Sequence, residues 1–445
     1  MYALSILIPK PTIFSISIQQ SIFLLHHILC IMHTTSITQS LTQHYIALEH
    51  QYGAHNYHPL PVVLQRGQGV HLWDVAGKQY FDFLSGYSAV NQGHCHPKII
   101  AALVAQAQSL TLTSRAFHHN LLGEYEQYIT SLFCYHKVLP MNTGVEAVET
   151  AIKLARRWGY DVKKVPPNQA EIIVCSSNFH GRTSTVISFS TDAGSRRSFG
   201  PYMPGFTIIP YNDLPALAQA LRNPNVVGFM LEPIQGEAGV VVPSAGYLST
   251  AKQYCTDAHV LFIADEIQTG IGRTGLMLAI DHEDVHADIL ILGKALSGGT
   301  IPVAAVLAND DIMLLIQPGD HGSTFGGNPL ACAVALEALK VVHSEGMIAN
   351  AHHMGNLFRE LVNQIKSPYI KLVRGKGLLN AIVINHPNPE AAWELCLIMM
   401  QHGLLAKPTH GDKIRFAPPL IITQEQMIQA VGIIELSLHQ LSEQL

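Results

Sequence analysis

Charge is scarce in this chain. Only 13% of its 445 residues are Asp, Glu, Lys or Arg, and the formal balance is -5. No basic stripe and no interleaving of aromatic with basic residues accompanies that mild acidity, which argues against a nucleic-acid partner. Cysteine patterning is missing as well. Seven cysteines stand at 30, 95, 134, 175, 255, 332 and 396 without any CxxC spacing. An odd, unpatterned set reads as reduced thiols in an intracellular protein. The 25 histidines invite a metal, and His94-Cys95-His96 is the densest cluster. Alternate residues in a loop flanked by Gly and Pro match zinc spacings poorly, so no metal is expected. Internal repeats and low-complexity tracts are absent from the sequence too.

The amino terminus lacks what a leader needs. Lys10 is the only charged side chain in residues 1–31, and no arginine precedes Arg66. The apolar run Ile13–Cys30 is interrupted by Gln19, Gln20, His26 and His27. A spanning helix wants about 20 apolar residues. A secretory signal wants a basic start and a small-residue cleavage site, and a transit peptide wants arginine. None of the three fits. Met32, followed by HTTSITQS, resembles a natural start. Residues 1–31 are therefore expected to be a dispensable extension, with a membrane anchor as the alternative. The cytoplasm is the expected compartment, ahead of the mitochondrial matrix.

What the chain does have is apolar residue, at 48%, and length enough for two or three domains. Two apolar runs each deliver one ionisable residue. Val260–Ala264 ends at Asp265, and Ile289–Leu292 leads through Gly293 to Lys294. Short continuous apolar runs suit strands buried on both faces, as in a parallel sheet under helices. Ligands of such sheets sit at the carboxyl ends of the strands, where both charges fall. An aspartate and a lysine converging there meet the needs of pyridoxal phosphate: a lysine for the Schiff base, an acid for the pyridine nitrogen. A helix-capping lysine beside a strand-ending aspartate is the plainer alternative.

Other stretches add candidates. Gly53–Pro61 is a loop carrying Tyr57, Val62–Asp82 reads as short strands around a turn, and Phe83–Pro97 is a loop presenting Tyr87. Thr143-Gly144 open a helix with apolar spacing at Val145, Val148, Ile152 and Ala155, a ready anion site or an ordinary cap. The strand Glu171–Ser177 empties into Asn178-Phe179-His180-Gly181-Arg182. There the aromatic could stack on a planar ring, and the arginine could clamp a carboxylate. Val226–Leu231 ends in a loop holding Glu232 and Glu237, a candidate site wall or solvated surface. Gly322–Pro329 is a second glycine-rich loop suited to phosphate. Beyond about Ala331, helices and strands alternate as an α+β unit with Arg415 on an exit strand, and Thr423-x-x-Gln426 caps the last helix.

These motifs together resemble the class III aminotransferases of pyridoxal-phosphate fold type I. The resemblance runs from about residue 45 to the end through GAHNYHPLP, SAVNQGHCHP, LTSRAF, PMNTGVEA, FMLEPIQGEAGVVVP, LFIADEIQTG, LGKALSGG, GSTFGGNP, RGKGLLNAIVI and LLAKPTHGDKIRFAPPL. The fold it implies is α/β: a large, mostly parallel sheet domain of seven-stranded type with a smaller α+β domain. The expected divisions are an N-terminal segment at 32–95, a large cofactor domain at 96–330 and a small domain at 331–445. The activity it implies is transfer of the δ-amino group of ornithine to 2-oxoglutarate, in arginine or proline metabolism. Lys294 would hold pyridoxal 5'-phosphate and shuttle the proton, while Asp265 would pair with the pyridinium nitrogen. Phe179 would stack on the ring and Gln268 would bond its phenolic oxygen. Thr143, Gly144 and Val145 would cradle the phosphate, joined by Thr324 from the partner of a homodimer. Arg182 and Tyr57 would bind the α-carboxylate of ornithine, Tyr87 would favour ornithine over shorter amines, and Glu237 would hold Arg415 until 2-oxoglutarate arrives. His180 stands where the resemblance expects tryptophan, and Thr300-Ile301 and Phe325 also depart, none as a reacting group. Acetylornithine and 4-aminobutyrate aminotransferases and a glutamate-semialdehyde aminomutase share the Asp–Lys core, and a non-catalytic interaction protein could keep the fold.

Overall fold

The computed structural model describes residues 40–443; the expectations for residues 1–31 lie outside the described residues. Among the described residues, no helix is long and apolar enough to cross a membrane. The chain packs as two units, one made of the residues up to Gln65 with Trp73–Lys78, the other of Arg66–Leu72 with Gln79 onward. In the first unit a helix over residues 40–52 leads into the loop with Tyr57. A turn closes there where Asp74 Oδ1 accepts the N–H groups of Ala76 and Lys78, each at 2.9 Å. Along the chain, the stretch expected to hold short strands has three: β1 (Leu64–Gln68), β2 (His71–Asp74) and β3 (Gln79–Asp82).

The second unit is built on a seven-stranded sheet. Its strands in chain order are β4 (Lys137–Met141), β5 (Glu171–Cys175), β6 (Phe206–Ile209), β7 (Val226–Leu231), β8 (Leu261–Asp265), β9 (Ile289–Leu292) and β10 (Ala304–Ala308). They lie in the order β4-β10-β9-β8-β7-β5-β6. Neighbours from β9 to β6 run parallel, whereas β10 is antiparallel to both β9 and β4. The middle strands are buried at every position because both faces are covered. On one face the helix Gly144–Asp161 lays Ala147, Val148, Ala151, Leu154 and Ala155 against Ile172, Val227, Ile263 and Ile291. Alternate strand residues meet one helical stripe, which is why these strands read as unbroken apolar runs.

Two details of the architecture bear on the site. The strand Ala304–Ala308 was not distinguishable by its apolar run from its parallel neighbours, yet it runs the other way. The loop holding Tyr87 is a regular left-handed turn: Ser85, Gly86, Tyr87 and Ser88 all have positive φ, between 49° and 70°. Further along, β11 (Ile370–Lys376), β12 (Leu379–Ile384), β14 (Lys407–Thr409) and β15 (Lys413–Phe416) form an antiparallel sheet in the order β11-β12-β15-β14. The short β13 (Leu404–Leu405) joins β3 in parallel instead. The final helix opens as expected, with Gln426 N–H on Thr423 Oγ1 at 3.3 Å and Thr423 N–H on Gln426 Oε1 at 2.9 Å.

Candidate active site

Four adjacent parallel strands, β5, β7, β8 and β9, end on one edge of the large sheet. Each end contributes a functional group: Phe179 to Arg182 after β5, Glu232 after β7, Asp265 closing β8, and Lys294 after β9. The antiparallel β10 lets β4 end on the same edge, so the helix starting at Gly144 begins there as well. The result is a cavity of about 200 Å³ lined by Gly144, Val145, Phe179, Glu232, Asp265 and Lys294 among others. A second hollow of about 380 Å³, lined partly by Asn142, Thr143 and Thr300, shares Gly144 and Lys294 with it.

The two ends of the first cavity are electrically opposite. At one end the helix N-terminus presents the first-turn N–H groups of Gly144 and Val145, which have no intrahelical acceptor. Thr143 is an N-cap of the capping-box kind, accepting from Glu146 N–H at 3.3 Å and donating its own N–H to Glu146 Oε2 at 2.9 Å. Its backbone donor is therefore spent, and Gly144 and Val145 carry the anion-binding capacity. Gly181 explains the tight fit beside them. It sits at φ +123°, and a Cβ on it would come within 2.3 Å of Val145 Cγ2.

At the other end stands Asp265, 3% exposed. Its Oδ1 accepts the Ile267 N–H at 3.1 Å, and its Oδ2 lies 2.6 Å from His180 Nδ1. His180 is wholly buried, and its Nε2 has no partner. Burial opposes charge on this imidazole, but the Asp265 contact outweighs it and raises its pKa. His180, expected only to be no reacting group, is placed by the structure against the carboxylate of Asp265. The histidine reaches past the end of β7 from the end of β5 to brace the aspartate. No local pattern joins positions 180 and 265; only the strand order does.

Lys294 lines both hollows. Burial drives its amine down to about 8, with Glu237 opposing the fall and Arg415 adding to it. An amine about half neutral near pH 8 is a far better nucleophile toward a carbonyl than an ordinary lysine. Its φ of 46° is left-handed, a strained setting for a residue with a side chain. Phe179, 37% exposed, forms a flat wall, with the Arg182 guanidinium 5.7 Å from its ring centre. Glu232 accepts the Phe179 N–H at 2.9 Å, and burial pushes its carboxyl up to about 7.

Beyond Lys294 lies the expected ion pair. Arg415 Nη1 donates to Glu237 Oε1 at 2.6 Å and to Gln268 Oε1 at 3.1 Å. Burial alone would raise Glu237, yet the arginine holds it down at about 2. Tyr87 lays its ring 4.9 Å from the same guanidinium. Thr324 is exposed on its loop and lines neither hollow. Tyr57 belongs to the first unit, 69% exposed, on the wall of a separate cavity there. Among the described residues, no group of acids, histidines and cysteines could hold a metal.

The donor set suits pyridoxal phosphate. A cationic helix end stands opposite a braced carboxylate, with a flat aromatic wall and a lysine with a lowered pKa between them. Comparison with known proteins agrees: the aminotransferase class-III family model matches residues 52–438. The chain belongs to that family. Within it, the chain is 60% identical over 401 residues to the mitochondrial ornithine aminotransferase of Drosophila melanogaster, covering 90% of this chain and 93% of the fly protein. The crystal structure of ornithine aminotransferase from Toxoplasma gondii superposes with a TM-score of 0.89 at 47% identity, covering 91% of this chain and 96% of that one. Acetylornithine aminotransferase from Elizabethkingia anophelis gives 0.83 at 57% identity, covering 90% and 99%.

Proposed function

We propose that this protein is a pyridoxal-phosphate-dependent aminotransferase that moves the δ-amino group of ornithine to 2-oxoglutarate, giving glutamate 5-semialdehyde and glutamate. The observation that carries the substrate choice is the buried Arg415 covered by Glu237 at 2.6 Å. An uncovered arginine would draw the α-carboxylate of ornithine toward the reacting centre and bring the wrong amino group to it. Covered, it leaves that carboxylate to Arg182, with Tyr87 shaping the pocket.

When bound, the cofactor supplies a carbonyl for the amine and a ring that accepts the electron pair left by proton loss. The residues do the rest. Lys294 Nζ takes a proton from the substrate carbon and returns it on the other side of the exchange. Asp265, fixed by His180 and the Ile267 N–H, would pair with the ring nitrogen. Phe179 would pack on the ring, Gln268 would offer it an N–H, and Gly144 and Val145 would hold the phosphate. For the second substrate Arg415 must leave Glu237 and take a carboxylate of 2-oxoglutarate.

We further propose a homodimer in which Thr324 serves the partner's phosphate. Support comes from the exposure of Thr324 and of Phe325 beside it, 55% for the latter. Sedimentation of the purified protein at the mass of one chain would remove that arm. The second reading, an acetylornithine aminotransferase, is the name borne by the Elizabethkingia protein at 57% identity, and it is not favoured beside the ornithine aminotransferases at 60% and 61%. The experiment is a half-reaction with ornithine, acetylornithine and 4-aminobutyrate in turn, followed by cofactor absorbance. Ornithine is expected to react fastest by at least tenfold; preference for acetylornithine would replace the first reading with the second.

A further inference from the structure

Gln268 occupies a position that its expected contact with the cofactor does not explain. The residue is 7% exposed and lines the cofactor cavity. Its amide nitrogen lies 3.0 Å from Glu237 Oε1, and its amide oxygen 3.1 Å from Arg415 Nη1. The orientation of the amide is forced. A guanidinium can only donate, so the oxygen must face Arg415; an ionised carboxylate can only accept, so the nitrogen must face Glu237. With the direct contact at 2.6 Å, the three side chains close a triangle. Both hydrogens of Arg415 Nη1 are thereby used, and Arg415 Nε is left buried without a partner.

The backbone makes room for this amide. A Cβ on Gly236 would stand 1.5 Å from Gln268 Oε1, far inside any tolerable contact. Gly236 is not in the left-handed region, so its backbone conformation does not call for glycine. Space for the amide does.

We infer that Gln268 is a specificity-determining positioning residue, a latch that holds Glu237 on Arg415 and so keeps the arginine away from the first substrate. The inference rests on the ornithine reading for the substrate, but its geometry is independent of that choice. One amide N–H can stay on Glu237 while the other points to the cofactor's ring oxygen, so the latch and the cofactor share one side chain. Without the amide, Nη1 keeps one hydrogen unmatched and Glu237 loses a donor. The arginine then swings toward substrate carboxylates too early.

The test uses the holoenzyme with two variants. Gln268→Met keeps length and bulk and removes the amide, whereas Gly236→Ala leaves the amide present but displaces it. In both, the share of α-amino transfer in a single turnover with ornithine is expected to rise about tenfold, as loss of a hydrogen bond to a charged group implies. The KM for 2-oxoglutarate is expected to fall. The dissociation constant of the cofactor, measured by dialysis, separates the two roles of Gln268. If it rises in Gln268→Met while regiochemistry and KM stay as in the parent in both variants, Gln268 serves only the cofactor and the latch is overturned. If the parent itself ignores ornithine, the substrate reading fails. The latch is then judged on 2-oxoglutarate alone, and an unchanged KM in both variants overturns it.

Discussion

Two glutamates five residues apart on one loop meet opposite fates. Glu232 and Glu237 both follow β7, and burial pushes both carboxyls upward. Glu237 faces the Arg415 guanidinium and is held at about 2. Glu232 has a backbone N–H and a histidine in its favour but Asp265 and Glu237 against it, and it settles at about 7. The loop thus offers one acid that is charged under all working conditions and one that changes charge near neutrality. A paired charge is the difference, not burial. The charged one guards an exchangeable partner on the other sheet. The titrating one sits among fixed groups at the cofactor end.

The predictions bear on this contrast. Lys294, whose pKa both glutamates raise against burial, is the largest lever. Lys294→Ala should lower turnover at least a thousandfold with the fold intact by circular dichroism, since no other lysine lines the cavity. Turnover near the parental rate refutes its role.

Glu237→Ala removes the guard. An ion pair sheltered from water is worth a few kcal/mol, so δ-over-α selectivity should fall by tens- to hundreds-fold while 2-oxoglutarate still reacts. Product analysis after one turnover decides, and clean δ-transfer would end the guarding role.

His180→Asn takes the imidazole from Asp265. Leaving a buried carboxylate short of a partner should weaken cofactor retention about tenfold, read as the dissociation constant by dialysis. Unchanged retention would make the 2.6 Å contact incidental.

The smallest effect is expected from Glu232→Gln, which copies the protonated acid. Because burial raises this carboxyl above its ordinary 4.5, the acid is neutral below about 7 and ionises above it. The variant should match the parent below pH 7 and differ severalfold above it, losing a limb of the pH–rate profile near 7. Profiles that coincide from pH 6 to 9 would show that its ionisation is not felt.

Much of this was legible in one dimension because the buried strands are apolar from end to end. Ile289–Leu292 and Val226–Leu231 read as strands at the very limits they have in space. Lys294 and Asp265 stood out as ionisable residues at the ends of such runs. The direction of β10 was not legible, because an apolar run carries no arrow. Nor was the His180–Asp265 contact, which depends on strand order across 85 residues. The need for Gly236 was not legible either, since the amide that requires its space is 32 positions away and in no periodic relation to it. The left-handed turn under Tyr87 was hidden because only one of its four residues is the glycine that such turns favour.

That turn has a consequence in chirality. Each L-residue in left-handed helical conformation costs about 1–2 kcal/mol, and only Gly86 escapes the penalty. Ser85, Tyr87 and Ser88 are mirror-image settings that an L-chain occupies under compulsion. A semisynthetic protein carrying D-alanine at position 86 would find there the backbone angles its own handedness prefers. The aromatic beside Arg415 would then rest on a support stiffened before folding begins.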